Sequence, residues 1–177
     1  MLLTTATAVL MLLQQAPAEG TDWDAEFGVE IKERDPSTGE LSVAPYGQSN
    51  ANAGAAPYDS AALVADFGGR EGIARIAART VDLSEADPRI AAIFAGNDMV
   101  RLKRTLGEQF CYVLGAGCDY TGRDMRTAHA QMGVAKADLN ALVENLQAAM
   151  REAGVPFVAQ NRLLAKLAPM SKDIVKR

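Results

Sequence analysis

From Tyr58 to the C-terminus, apolar residues recur at three- and four-residue intervals, and glycine or proline interrupts each run. This is the period an α-helix needs to turn one face towards a core. Ile73, Ile76, Ala77, Thr80 and Val81 line one face of a helix that follows Gly68-Gly69. Asp87-Pro88 opens a short helix, with proline at its first position, ending near Phe94. Asn97 is placed to cap the next helix. Its stripe is Met99, Leu102, Leu106, Phe110 and Val113, and Gly115 and Gly117 close it. A short helical stretch between Gly122 and Gly133 bears His129. Leu139, Leu142, Val143, Leu146 and Met150 then form a long stripe that ends at Gly154. After Pro156 a last helix carries Leu163, Leu164 and Leu167; Pro169 bends or ends it, and Ile174 follows. No alternating strand pattern occurs in this region, so the expected class is all-α. Abundant alanine and only 6% aromatic residues agree with it.

The first third of the chain is different. Residues 2 to 13 carry no charge, a run too short to span a bilayer but of the length of a signal-peptide apolar region. Ala16-Pro17-Ala18 fits the small-residue cleavage pattern. No basic residue precedes Lys32, so either this is an atypical signal or its positive leader lies upstream. A hydrophobic helix packed on the domain is the alternative. The reading taken here is export to a bacterial periplasm, with residues 1–18 as signal peptide. Residues 19–57 form an irregular arm or linker, rich in turn residues. Val29, Ile31, Leu41 and Val43 flank the Pro36-Ser37-Thr38-Gly39 turn, which suggests a small hairpin. The helical domain then occupies 58–177.

A net charge of −4 and a pI near 5.1 argue against a nucleic-acid partner and against docking on anionic lipid. Phosphate-binding, dinucleotide-binding and zinc-protease motifs are absent, as are internal repeats and nucleophile–histidine arrangements. Two cysteines, Cys111 and Cys118, allow two readings. They can form a disulfide if the helix stops at Gly115-Ala116-Gly117 and the chain folds back; otherwise they are small buried thiols. The chain has a single histidine, His129. Neutral imidazole is the commonest protein metal ligand, although a lone histidine is more often structural.

The segments GGREGIARIA, DPRIAAIFAG, NDMVRLKRTLGEQF and YTGRDMRTAHAQMG resemble, in order and spacing, the group I truncated haemoglobins. The resemblance runs from about Gly68 to Met170. It implies a two-over-two helical sandwich around haem b, with the irregular arm preceding it. His129 matches the proximal iron ligand. A short helix held by a turn suits an axial imidazole, and Gly122 and Gly133 give that turn flexibility. Phe94 matches the phenylalanine against the haem face, and Tyr120, Met125 and Val134 match residues bordering the haem. Arg101 and Lys103 fall where the family places cations near the haem propionates.

The resemblance also fixes where this chain departs from it. The family usually stabilises bound O2 with a distal tyrosine helped by a glutamine; Val81 and Leu106 stand at those positions. Leu102 stands nearest the iron, where many globins keep a polar residue. Thr80 adjoins Val81 but points about 100° away on a helix. Gln109 and Tyr112 reach the pocket only if their helix is rotated. A sixth ligand is conceivable from Lys103 or Met99 after rearrangement. The implied function is reversible binding of a diatomic gas (O2, NO or CO) beneath an apolar distal wall, with an electron donor as partner. NO-detoxifying or other redox chemistry is less favoured, because no distal acid or base is present. The competing reading is a globin-fold structural subunit that docks on a periplasmic assembly through residues 19–57.

Overall fold

The structure, a computed structural model, describes residues 33–176. The signal-like segment 1–18, with Val29 and Ile31 of the expected hairpin, lies outside the described residues. From Arg34 onward the chain forms one compact unit. Its helices are α1 (Ala61–Asp66), α2 (Gly69–Ala86), α3 (Ala91–Phe94), α4 (Met99–Val113), α5 (Met125–Ala128), α6 (Lys136–Glu152), α7 (Phe157–Leu167) and α8 (Ser171–Ile174). Short 3-10 turns occupy Asn50–Ala53 and Ala168–Met170. No strand occurs among the described residues.

The apolar stripes become the buried faces. α2 packs along both α4 and α6, and α4 also meets α7. Ile73 and Ile76 of α2, Phe110 of α4, Leu146 and Met150 of α6, and Leu163 of α7 join one core cluster. Burying one such side chain contributes about 1.5–3 kcal/mol, so these stripes supply the main stabilising term. Small residues let the two longest-contacting helices come close. A Cβ at Gly107 of α4 would meet Ala74 Cα and Ala77 Cβ of α2 at 3.8 Å.

Helix ends depart from the sequence expectation in two places. The helix expected at Pro88 is a turn over residues 87–90, closed by Ala91 N–H donating to Asp87 O at 2.8 Å; the helical turn proper begins at Ala91. The cap of α4 is Asp98, not Asn97. Asp98 has extended backbone and its carboxylate accepts from Arg101 N–H. An ionised carboxylate also complements the positive helix N-terminus, which an amide does not. Asn97 instead donates to Ile93 O at 2.9 Å.

α4 stops at Val113, and the chain reverses through Gly115 at φ 81°. A Cβ on Gly115 would lie 2.0 Å from Tyr58 O, so only glycine passes there. The reversal carries Cys118 back beside Cys111, and the two are joined as a disulfide with Cα atoms 5.7 Å apart.

The described part of the arm lies along the helices. Among the described residues, one antiparallel bridge, Arg34 to Leu41, flanks the Asp35–Glu40 turn of the expected hairpin. Leu41 N–H donates to Asp98 Oδ2 at 2.7 Å, and Ala53 is fully buried.

Candidate functional site: an apolar cavity faced by His129

α2, α4, α6 and α7 leave between them a cavity of about 510 Å3. Sites that hold cofactor-sized ligands span about 300–1,000 Å3. Phe94, Arg101, Leu102, Leu106, Tyr120, Met125, His129 and Val134 all line it. Val81 and Thr80 of α2 line it too, together with Ile90, Leu139, Leu142, Val143 and Leu146. Eight of the nine residues singled out from the sequence therefore meet around one space, drawn from three helices and the connecting segments.

The ninth, Lys103, does not line the cavity. Its ammonium pairs with Asp82 of α2 at 2.5 Å, because its side chain leaves α4 towards α2 rather than towards the mouth. Met99 does not line the cavity either. Gln109 does, in a helix that needs no rotation to bring it there. Buried to 5% exposure, it donates to Ala53 O at 3.0 Å and lies near the Met125 and Met170 sulfurs. Its spacing from Leu102 and Leu106 already places it on the edge of their stripe. Tyr112 faces the core cluster and not the cavity.

His129 follows α5 immediately, at its C-cap. Asp124 caps the other end, accepting from Thr127 N–H at 3.0 Å. The His129 Nδ1 lies 2.7 Å from Met125 O. A carbonyl oxygen only accepts, so Nδ1 carries the hydrogen and the neutral ring keeps its lone pair on Nε2. A backbone acceptor of this kind also orients a ligating imidazole.

Tyr120 forms part of the wall, 6% exposed. Its hydroxyl donates to Arg123 O at 2.9 Å, and its own N–H donates to Asn50 Oδ1 at 2.7 Å. Burial pushes the phenol up to about 12. Gly122 makes room for this ring. A Cβ there would lie 2.2 Å from the Tyr120 hydroxyl oxygen and 2.3 Å from Cζ. Gly122 is not at positive φ, so its role is space and not the flexibility expected from the sequence. Gly133, at φ 58°, does use a conformation that favours glycine.

The polar groups on the wall are engaged elsewhere. Thr80 Oγ1 donates to Ile76 O at 2.8 Å and Thr105 Oγ1 to Arg101 O at 2.9 Å. Arg101 Nη2 donates to Leu41 O at 2.7 Å. Arg101 Nε is different: it is buried and has no hydrogen-bond partner. The wall formed by Val81, Leu102 and Leu106 is apolar, and none of these three can donate a hydrogen bond.

Residues 63–176 match the family model of the bacterial-like globins. The chain belongs to the group I truncated globins. It is 32% identical over 89 residues to a group 1 truncated haemoglobin of Mycolicibacterium paratuberculosis, a match covering 50% of this chain and 65% of that protein. Among solved structures, the Fe(III) form of a Tetrahymena pyriformis truncated haemoglobin superposes with a TM-score of 0.62. It shares 23% identity over 65% of this chain and 98% of the other. The cyanomet 2/2 haemoglobin of a Synechococcus species, with covalently attached haem, gives a TM-score of 0.59 at 22% identity, over 65% of this chain and 98% of that one. The two-over-two architecture is thus that of the globin family, whose members bind haem and, at the haem, diatomic gases. The arm before residue 63 lies outside the matched region.

Proposed function

We propose that the cavity of this globin holds haem b, with His129 Nε2 as the protein ligand to its iron, and that the loaded protein binds a diatomic gas reversibly. The observation that carries the reading is the His129–Met125 bond, which commits Nδ1 and leaves Nε2 as the one basic imidazole nitrogen at the cavity. Haem would supply an iron able to bind both this imidazole and a small gas. Among the described residues no group of three or more His, Cys, Asp and Glu could hold a metal ion by itself, and a porphyrin brings its own four nitrogens.

The chain's residues then have separable tasks. Phe94, Val134 and the α6 leucines exclude water from the cavity. Arg101 Nε, which makes no hydrogen bond and has only the Asp98 carboxylate at 3.9 Å, would donate to a haem carboxylate and so satisfy a buried donor that otherwise costs about 1–3 kcal/mol. Lys103 is not among the lining residues and pairs with Asp82 instead. Val81, Leu102 and Leu106 leave the gas without a donor. O2, which gains most from a donor, is therefore held weakly relative to CO. Binding to ferrous iron requires a reductant, so an electron donor belongs to this reading.

Export is part of the same proposal. The Cys111–Cys118 disulfide supports it, because disulfides persist in oxidising compartments. Absorption spectra of the ferric, ferrous and ferrous-CO forms, recorded beside His129→Ala, test the haem assignment. A stoichiometric Soret band that depends on His129 is expected. Identical haem spectra in the variant would overturn the ligand assignment.

A further inference from the structure

Glu40 is a carboxylate buried to 6% exposure in a segment that otherwise reads as solvated loop. A buried charge is retained only when paired, and this one is paired twice. It accepts from Arg104, with Nη2 to Oε2 at 3.0 Å, and lies 3.1 Å from Arg101 Nη2. Asp98 and Arg34 extend the cluster on one side, at 3.0 Å from each other. Glu108 extends it on the other, 2.6 Å from Arg104. These three carboxylates and three guanidiniums balance in charge without any outside anion.

The cluster sits where the arm meets the N-terminal half of α4, and Arg101 and Asp98 are also cavity wall. The arm then runs on to the Tyr120–Thr121 segment, which α4 also holds: Arg104 donates to Thr121 Oγ1 at 2.6 Å, and Glu108 accepts from Thr121 N–H at 3.0 Å. Tyr46 hydroxyl donates to Thr121 O at 2.9 Å, and Asn50 holds the Tyr120 amide. Val43, between the two anchor points, lines the cavity itself.

We propose that residues 40–50 are a strap that closes the cavity at Val43, between anchors on α4 and on the Tyr120–Thr121 segment, and that Glu40 is the positioning residue that fastens it. Glu40 holds Arg101 in place at its Nη2, which also donates to Leu41 O, and so fixes how the guanidinium stands at the cavity wall. The strap slows the escape of whatever occupies the cavity, because a ligand leaving past Val43 has to displace the segment that Glu40 fastens. This rests on the haem reading for its ligand but not for its geometry.

The test uses the full chain loaded with haem, with haem loss measured against excess apomyoglobin as acceptor. Glu40→Gln removes the charge that both arginines face. Haem loss should accelerate about tenfold or more, the effect of one charged hydrogen bond. Hydrogen exchange at the Leu41 and Tyr120 amides should rise in parallel, in haem-loaded and haem-free protein alike. Asn50→Ala, at the other anchor, should speed haem loss in the same direction and serves if Glu40→Gln does not fold. Wild-type haem loss in a folded variant, with or without a lower denaturation midpoint, would overturn the strap. If the wild-type chain takes up no haem, the haem reading fails by itself; the exchange rates then decide the strap, and unchanged rates would overturn it.

Discussion

Replacing Gly122 with alanine puts a methyl group where the Tyr120 ring already lies. The new Cβ would be 2.2 Å from the hydroxyl oxygen, 2.3 Å from Cζ and 2.7 Å from Cε2. Carbon atoms at optimal contact are about 3.5–4.0 Å apart, so the ring must retreat by more than an ångström. It has little room, being buried among the core cluster and against the cavity. Overpacking of this kind costs about 1–3 kcal/mol. Retreat also breaks the Tyr120 hydroxyl bond to Arg123 O, worth about 0.5–1.5 kcal/mol. Gly122→Ala should therefore destabilise the protein by roughly 2–4 kcal/mol, read as the shift in a urea unfolding midpoint. The near-ultraviolet signal of Tyr120 should change with it. Tyr120→Leu removes the far ring atoms, so the two substitutions together should cost less than their sum, by about 0.5–3 kcal/mol. A Gly122→Ala shift below about 0.5 kcal/mol, the scatter of ordinary surface changes, would refute the claim that this glycine exists to seat the ring.

Other outcomes follow from the same geometry. Val81→Tyr with Leu106→Gln places donors on the apolar wall and should slow O2 release from haem-loaded protein by about tenfold to a hundredfold; an unchanged dissociation rate in stopped flow would sink the distal assignment. Cys111→Ala with Cys118→Ala opens a short loop and should lower stability by about 2–3 kcal/mol, measured by chemical denaturation in oxidising buffer. Mild acid should release the arm before the helices unfold. The Arg104 hydrogen bond holds Glu40 below its ordinary 4.5 despite burial. At Asp98 burial pushes the other way, but bonds from the Leu41 amide, Arg34 and the Arg101 amide outweigh it and keep the carboxyl below 3.8. Both depressed groups stabilise the folded arm above the ordinary carboxylate values, and that stability is lost as pH falls through the lower folded ones. Exchange protection of residues 34–50, taken relative to the intrinsic rate at each pH, should therefore fall below about pH 4 while α2 and α6 stay protected; simultaneous loss everywhere would contradict the arm's separate acid sensitivity.

The helices and the place of His129 were legible because each rests on local periodicity or on ordered motifs. The stripes at Ile73–Val81 and Leu139–Met150 became buried faces, and the glycines after Val113 ended α4 where the cysteines needed it. Exact starts were less legible. Asn97 and Asp98 are both good capping residues, and only the fit of the Asp98 carboxylate to the Arg101 amide and to the Leu41 amide chose between them. Lys103 was less legible for a related reason: one helical position decides whether a cation faces the cavity or α2, and here it pairs with Asp82 of α2.

The sequence by itself determined the elements, their class, the family and one imidazole on a short turn, since helix period and glycine placement act through the nearest few residues. Tertiary structure alone decided how space and charge are shared. Gly122 reads as a hinge until the Tyr120 ring is seen across it. Glu40 reads as one more solvated acid until Arg101 and Arg104, more than 60 positions later, come to face it. Contacts of that range carry no periodic signal, because they depend on how whole helices pack and not on the order of neighbouring residues.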